Sequence, residues 1–224
     1  MRKFAIPKYI YVLLVLMLGV LSIGYTYAYF SSTYKVESKL KIGQVNVVWC
    51  DRGTGNVING ENKTIFVTSE ELDVGEFSPI QTPTDEDGVM QEIVLEVCNR
   101  DATVSAYVRI KIDAKYTPNG ESNSINCGEQ WVQLALNNNG VNQKLTENGN
   151  WFYDNGYYYY GTNNGTSKTL TELDINSGKT VASHIYLDNN VDADIYGAIM
   201  SITLTVEAVQ TTNNAYQSVW GVNW

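Results

Sequence analysis

The chain has 224 residues, with 24 Asp and Glu against 15 Lys and Arg, a net charge of −9, and hydrophobic side chains at 44% of positions. That acidic balance argues against nucleic acid and anionic lipid surfaces as partners and favours solubility outside a cell. The length suits a single β domain that buries a substantial core without metal or cofactor.

Arg2, Lys3 and Lys8 precede an uncharged apolar run from Tyr9 to Gly24, which gives way to Tyr25-Thr26-Tyr27-Ala28-Tyr29-Phe30-Ser31-Ser32. A basic start, ~16 apolar residues and small residues at Thr26 and Ala28 form the pattern of an export signal, an apolar signal helix with its cleavage region at Ala28, Tyr29 and Phe30. The same run, stretched by the aromatics after Gly24, also reads as a retained membrane anchor. Both readings keep the basic residues inside and translocate the rest, so the expected division is a signal over 1–29 and one domain over 30–224. The exported part keeps 12 basic and all 24 acidic side chains.

From Tyr34 to Trp49 apolar residues alternate through Val36, Leu40, Ile42, Val45, Val47 and Trp49. Cleavage before this segment creates a free strand, so Val36, Leu40 and Ile42 are candidate donor residues for adding to an exposed sheet edge. Ile65-Phe66-Val67 is a short strand, Ser69 to Leu72 a capped helical turn, and Pro79 and Pro83 bracket an extended segment excluded from a sheet interior. In Gln91 to Asn99, Ile93, Leu95 and Val97 share a face; beyond Asn99-Arg100-Asp101, Ala106, Val108, Ile110 and Ile112 do the same, with Tyr107, Arg109, Lys111 and Asp113 opposite. These two strands are expected to pair as an antiparallel hairpin.

Trp131 to Leu136 follows as a strand, then a Trp151 to Gly161 hairpin whose four consecutive tyrosines alternate, Tyr157 and Tyr159 against Tyr158 and Tyr160. Lys168 to Leu173, Val181 to Asp188 and a long Ile199 to Gln210 strand complete the chain. Six Asn-Gly pairs supply residues that tolerate positive φ in tight turns. The expected fold is all-β, a sandwich of two antiparallel sheets.

Chemistry-bearing residues are few. Cys50, Cys98 and Cys127 match no zinc spacing, and either one bridge with a free thiol or three reduced cysteines are compatible with the count. His184, the single histidine, shares a strand face with Tyr186 and reads as a surface residue, and no hydrolase or phosphate-loop motif occurs. No cofactor is implied, calcium excepted. Asp188, Asn190, Asp192 and Asp194 place oxygens at every second residue like a calcium loop, but Ala193 stands where such loops need glycine and no closing glutamate follows. Asp85-Glu86-Asp87 is a weaker acidic cluster. The tyrosines Tyr157, Tyr158, Tyr159 and Tyr160 read either as an aromatic surface for sugars or partners, or as alternating core and sheet-face rings.

Several stretches together resemble the TasA/camelysin family of Gram-positive biofilm-matrix and spore-coat-associated exported proteins. They are Thr26 to Ser32 with Ile42-Gly43-Gln44-Val45; Val74-Gly75-Glu76, Val97-Cys98-Asn99 and Ala106 to Lys111; then Trp151, Gly156 to Tyr160, Val206 to Gln210 and Val219-Trp220-Gly221-Val222. The resemblance implies a jelly-roll-like sandwich, release by a SipW-type signal peptidase, and self-association into extracellular filaments in which the amino-terminal segment of one subunit completes a sheet of the next. The three cysteines and long Asn-rich loops depart from the family pattern. The function expected is a secreted structural subunit of matrix or cell-surface filaments, not an enzyme. A monomeric carbohydrate- or protein-binding module and a camelysin-like metalloprotease are the alternatives.

Overall fold

Strands and tight turns follow one another along the chain, as the period-two patterning requires. In order they are β1 (Val47–Asp51), β2 (Val57–Ile58), β3 (Thr64–Ser69), β4 (Phe77–Pro79), β5 (Gln81–Thr84), β6 (Val89–Glu92), β7 (Leu95–Asn99), β8 (Ala106–Thr117) and β9 (Ile125–Asn126). They continue as β10 (Val132–Asn138), β11 (Val141–Lys144), β12 (Trp151–Asp154), β13 (Tyr157–Asn163), β14 (Lys168–Leu170), β15 (Gly178–Ala182), β16 (His184–Leu187) and β17 (Ile199–Gln210), followed by one short helix, α1 (Ala215–Trp220). This computed structural model describes residues 44–58, 64–69, 73–84, 89–191, 195 and 198–224. The export signal, Ala28, Tyr29 and Phe30 of the cleavage region, donor candidates Val36, Leu40 and Ile42, and Asp85 to Asp87 lie outside the described residues.

The fold is all-β and its sheets are antiparallel. A seven-stranded sheet runs β12-β13-β8-β17-β3, with β14 added to β13 and β9 to β8. Two four-stranded sheets run β15-β7-β1-β2 and β11-β10-β16-β4, and β5 pairs with β6. The spine is β8 against β17, in register over twelve pairs from Ile199 opposite Thr117 to Gln210 opposite Ala106. Alternation on these strands buries Ala106, Val108, Ile110, Ile202, Leu204 and Val206 completely. They meet Val47, Trp49, Leu95 and Val97 from one four-stranded sheet and Leu134, Ile185 and Leu187 from the other in one apolar core, giving a sandwich-like arrangement.

Two Asn-Gly pairs do what their chemistry suggests. Asn139 and Gly140 (φ 54° and 85°) close β10 on β11, and Asn155 and Gly156 (φ 48° and 84°) close β12 on β13, each as a two-residue loop whose two central residues need positive φ. β4, which holds Pro79, is an edge strand, where a missing N–H costs no ladder bond. Ser69 ends β3.

One expected pairing and one expected strand are corrected. β7 and β8 do not form a hairpin: β7 lies between β1 and β15, and β8 between β13 and β17. The intervening loop spends its backbone donors elsewhere, Arg100 N–H on Asn46 O and Thr103 N–H on Gln44 O, and Asn99 Nδ2 holds Val104 O and Leu173 O, so the chain arches from one sheet to the other. Val181 to Asp188 is likewise two strands, not one. β15 pairs with β7 and β16 with β10, and the switch falls at Ser183, whose N–H donates to Ala135 O while its hydroxyl accepts from Asn137 N–H.

Candidate functional site

The densest chemistry stands on the outer face of the seven-stranded sheet, and strand register builds it. Arg109 on β8 is opposite Tyr159 of β13 on one side and Glu207 of β17 on the other. Its guanidinium donates from Nε (2.8 Å) and Nη2 (2.6 Å) to Glu207 Oε2 and from Nη1 to the Tyr159 hydroxyl (3.4 Å). Arg109 is only 9% exposed, so these partners and the rings above it replace the water a charged group needs. The guanidinium carbon lies 3.8 Å from the Tyr157 ring centre and 4.8 Å from that of Trp220, a cation held between two π faces.

Residues 211–224 supply the upper half of this arrangement. After β17 the backbone passes through Asn213 (φ 57°) and Asn214 (φ 52°), both left-handed, runs through α1, and turns again at Gly221 (φ 68°). That course sets Tyr216 edge-on to Tyr107 at 5.5 Å and Trp224 edge-on to Phe152 and Tyr159 at 5.5 and 5.3 Å. The Trp224 indole N–H donates to Asp154 Oδ2 (2.9 Å), whose other oxygen pairs with Lys168 Nζ at 2.7 Å. Burial pushes the Asp154 carboxyl up, but the hydrogen bonds from Lys168 and Trp224 outweigh it and hold the group below its ordinary value.

The four tyrosines do alternate, but they do not form an exposed aromatic surface. Tyr158 is 3% exposed, in the main core beside Trp151, and Tyr160 packs against the same core half-buried. Tyr159 is 1% exposed and forms a separate outer cluster with Phe152 and Val222, which Tyr157, Tyr216, Trp220 and Trp224 flank. Burial pushes the Tyr158 and Tyr159 hydroxyls up.

The acidic loop is placed in part. Asp188 Oδ1 accepts from the backbone N–H and Nδ2 of Asn190 (both 2.9 Å), and Oδ2 accepts from Gln133 Nε2 (3.1 Å) with Lys144 Nζ at 3.9 Å. Both oxygens are engaged within the protein, and Asp192 and Asp194 lie outside the described residues. Among the described residues no three His, Cys, Asp or Glu side chains converge as a metal-binding group.

Cys50, Cys98 and Cys127 are free thiols. Cys50 and Cys98 share a buried outer cluster with Val48, and burial, the neighbouring Cys50 and the charge of Glu96 push the Cys98 thiol up. Burial raises Cys127 to about 11, so neither thiol is activated as a nucleophile. His184 is half-buried, its Nδ1 2.9 Å from the Ser183 hydroxyl, in an open cleft of about 510 Å³ with Arg52, Glu92, Leu136 and Thr180. Burial lowers its pKa and Glu92 opposes that. Ser183 lines the same cleft and is mostly buried at the strand switch, its hydroxyl shared between Asn137 N–H and His184 Nδ1.

Among the described residues no helix is long and apolar enough to cross a membrane. No family model, curated protein or solved structure matches this chain.

Proposed function

We propose that this chain is a secreted structural subunit of extracellular matrix or cell-surface filaments, assembling by strand addition with no catalytic role. One observation carries the reading. β3 is the last strand of the seven-stranded sheet among the described residues, six residues long, with the sequence Thr-Ile-Phe-Val-Thr-Ser. Natural edges are usually guarded by lysine, proline, bulges or shortness, and this one has neither charge nor proline. A strand in that last place suits an incoming strand, and the alternating segment that carries Val36, Leu40 and Ile42 has the composition of such a strand.

The reading takes the TasA/camelysin resemblance with it: export, release near Ala28 to Phe30 by a SipW-type signal peptidase, and a jelly-roll-like connection of the sandwich. Electron microscopy of culture supernatant, with amino-terminal sequencing of the released protein, tests it directly. Filaments that begin near Phe30 are expected, and deleting Phe30 to Lys41 should leave a soluble, folded monomer. Filaments that persist in the deletion would overturn strand addition by this segment.

A further inference from the structure

We propose that residues 211–224 form an exchangeable arm, which docks on the Arg109, Tyr157 and Asp154 platform of a second copy of this chain as it docks on its own. The inference concerns a second joint between copies and stands independently of the strand addition proposed above.

Three observations lead to it. First, the arm is held through side chains: Tyr216 on Tyr107, Trp220 over Arg109 and against Tyr159, and Trp224 on Phe152, Tyr159 and Asp154. Among the described residues its backbone tie to the sheet is at its root, from Thr211 N–H to Ser105 O at 3.3 Å, while the Gly221 N–H turns inward to Gln217 O. The arm therefore docks as a preformed aromatic unit and not as a strand of the sheet.

Second, the reversal that brings the arm back over its own sheet is concentrated in Asn213 and Asn214. Two successive non-glycine residues in the left-handed region are a costly local choice, and asparagine tolerates it better than other side chains. A change of φ at these two positions redirects the whole arm without altering the contacts within it. The hinge is thus separable from the joint.

Third, the platform defines its occupant. A guanidinium at 9% exposure, the indole-binding carboxylate of Asp154 and the faces of Phe152, Tyr157 and Tyr159 all require cover once the arm leaves. An identical arm restores every one of those contacts at once. Exchange between two copies conserves the docked interface and changes only the hinge, which is the condition under which swapping is inexpensive.

The test deletes Asn213 and Asn214 from the full chain, so that the arm is too short to fold back. A length-preserving Asn213→Pro variant serves as the second probe, since proline cannot take a φ of 57°. Sedimentation velocity should show the mass doubling to a dimer, with the near-ultraviolet aromatic signal of the docked tryptophans retained. Adding Trp220→Ala and Trp224→Ala to either variant should return it to a monomer. Either variant remaining monomeric with its sandwich folded would overturn the proposal, as would a dimer that survives loss of both tryptophans. Should neither hinge variant fold, tagged and untagged wild-type chains refolded together decide: co-purification lost on Trp220→Ala with Trp224→Ala supports exchange, and co-purification unchanged by it overturns exchange.

Discussion

The two faces of the β12–β13 hairpin carry nearly the same residue types and are covered by different means. Its inner face puts Trp151 and Tyr158 into a core shared by three sheets, where neighbours come from strands far apart in sequence. Its outer face puts Phe152 and Tyr159 under residues 211–224, a single segment joined to the sheet by one hinge. Burial is almost equal, 1% and 3% exposed inside against 4% and 1% outside, but the outer cover comes from one contiguous segment and the inner from many strands. Equal burial therefore does not mean equal commitment to the fold.

The sharpest break of this comparison is Tyr158→Ala against Tyr157→Ala in urea denaturation. Removing the inner ring leaves a cavity in the shared core and should cost about 3–5 kcal/mol, whereas the half-buried Tyr157, resting on Arg109, should cost about 1 kcal/mol. Equal losses would erase the distinction between the two faces.

A smaller effect tests how the outer face is held. Arg109→Ala removes the centre of the Tyr157–Trp220 sandwich and leaves Glu207 without its partner, but the Glu207 side chain is 35% exposed and water relieves part of the loss. About 2–3 kcal/mol is expected, below the range for a fully buried pair. Arg109→Lys should recover little of it, because an ammonium neither stacks between rings nor bridges Glu207 and Tyr159 together. In a double-mutant cycle Arg109→Ala and Trp220→Ala should couple by about 1 kcal/mol, and additive losses would show that the arm does not rest on the guanidinium.

The strands were legible because period-two alternation is a local property: Ile199 to Gln210 is β17 residue for residue, and the Asn155-Gly156 turn closes the hairpin it announces. Pairing beyond that two-residue turn was not legible, because alternation states which face a residue takes and not which strand lies beside it. That is why β7 and β8, adjacent in sequence and both well patterned, were expected to pair and instead belong to different sheets. The same gap hid Arg109. The sequence places it only on the face of β8 opposite the core positions, and the register that aligns Tyr159, Arg109 and Glu207 in one row makes it a buried centre. A signal that could have pointed to it is the concentration of Tyr216, Trp220 and Trp224 in one short segment, more aromatic surface than a solvated stretch would carry.

The smallest expected effect is a pH dependence confined to the outer face. The folded Asp154 carboxyl titrates below its ordinary 3.8, because Lys168 and Trp224 donate to its charged form and outweigh its burial. A depressed folded value means a stabilisation fully present above the ordinary value and lost as pH falls through the lower, folded one. Arm docking should therefore be constant from neutrality to about pH 4 and weaken below it, before the inner core responds. Tryptophan fluorescence reports Trp224 against Asp154, and Asp154→Asn should remove the acid transition while leaving the urea midpoint at neutral pH within about 1 kcal/mol equivalent, because the amide oxygen still accepts from Trp224 and only the charge facing the partly covered Lys168 is lost. An acid transition unchanged in that variant would assign the loosening to other carboxylates, and the outer face would then be held by its rings and Arg109 alone.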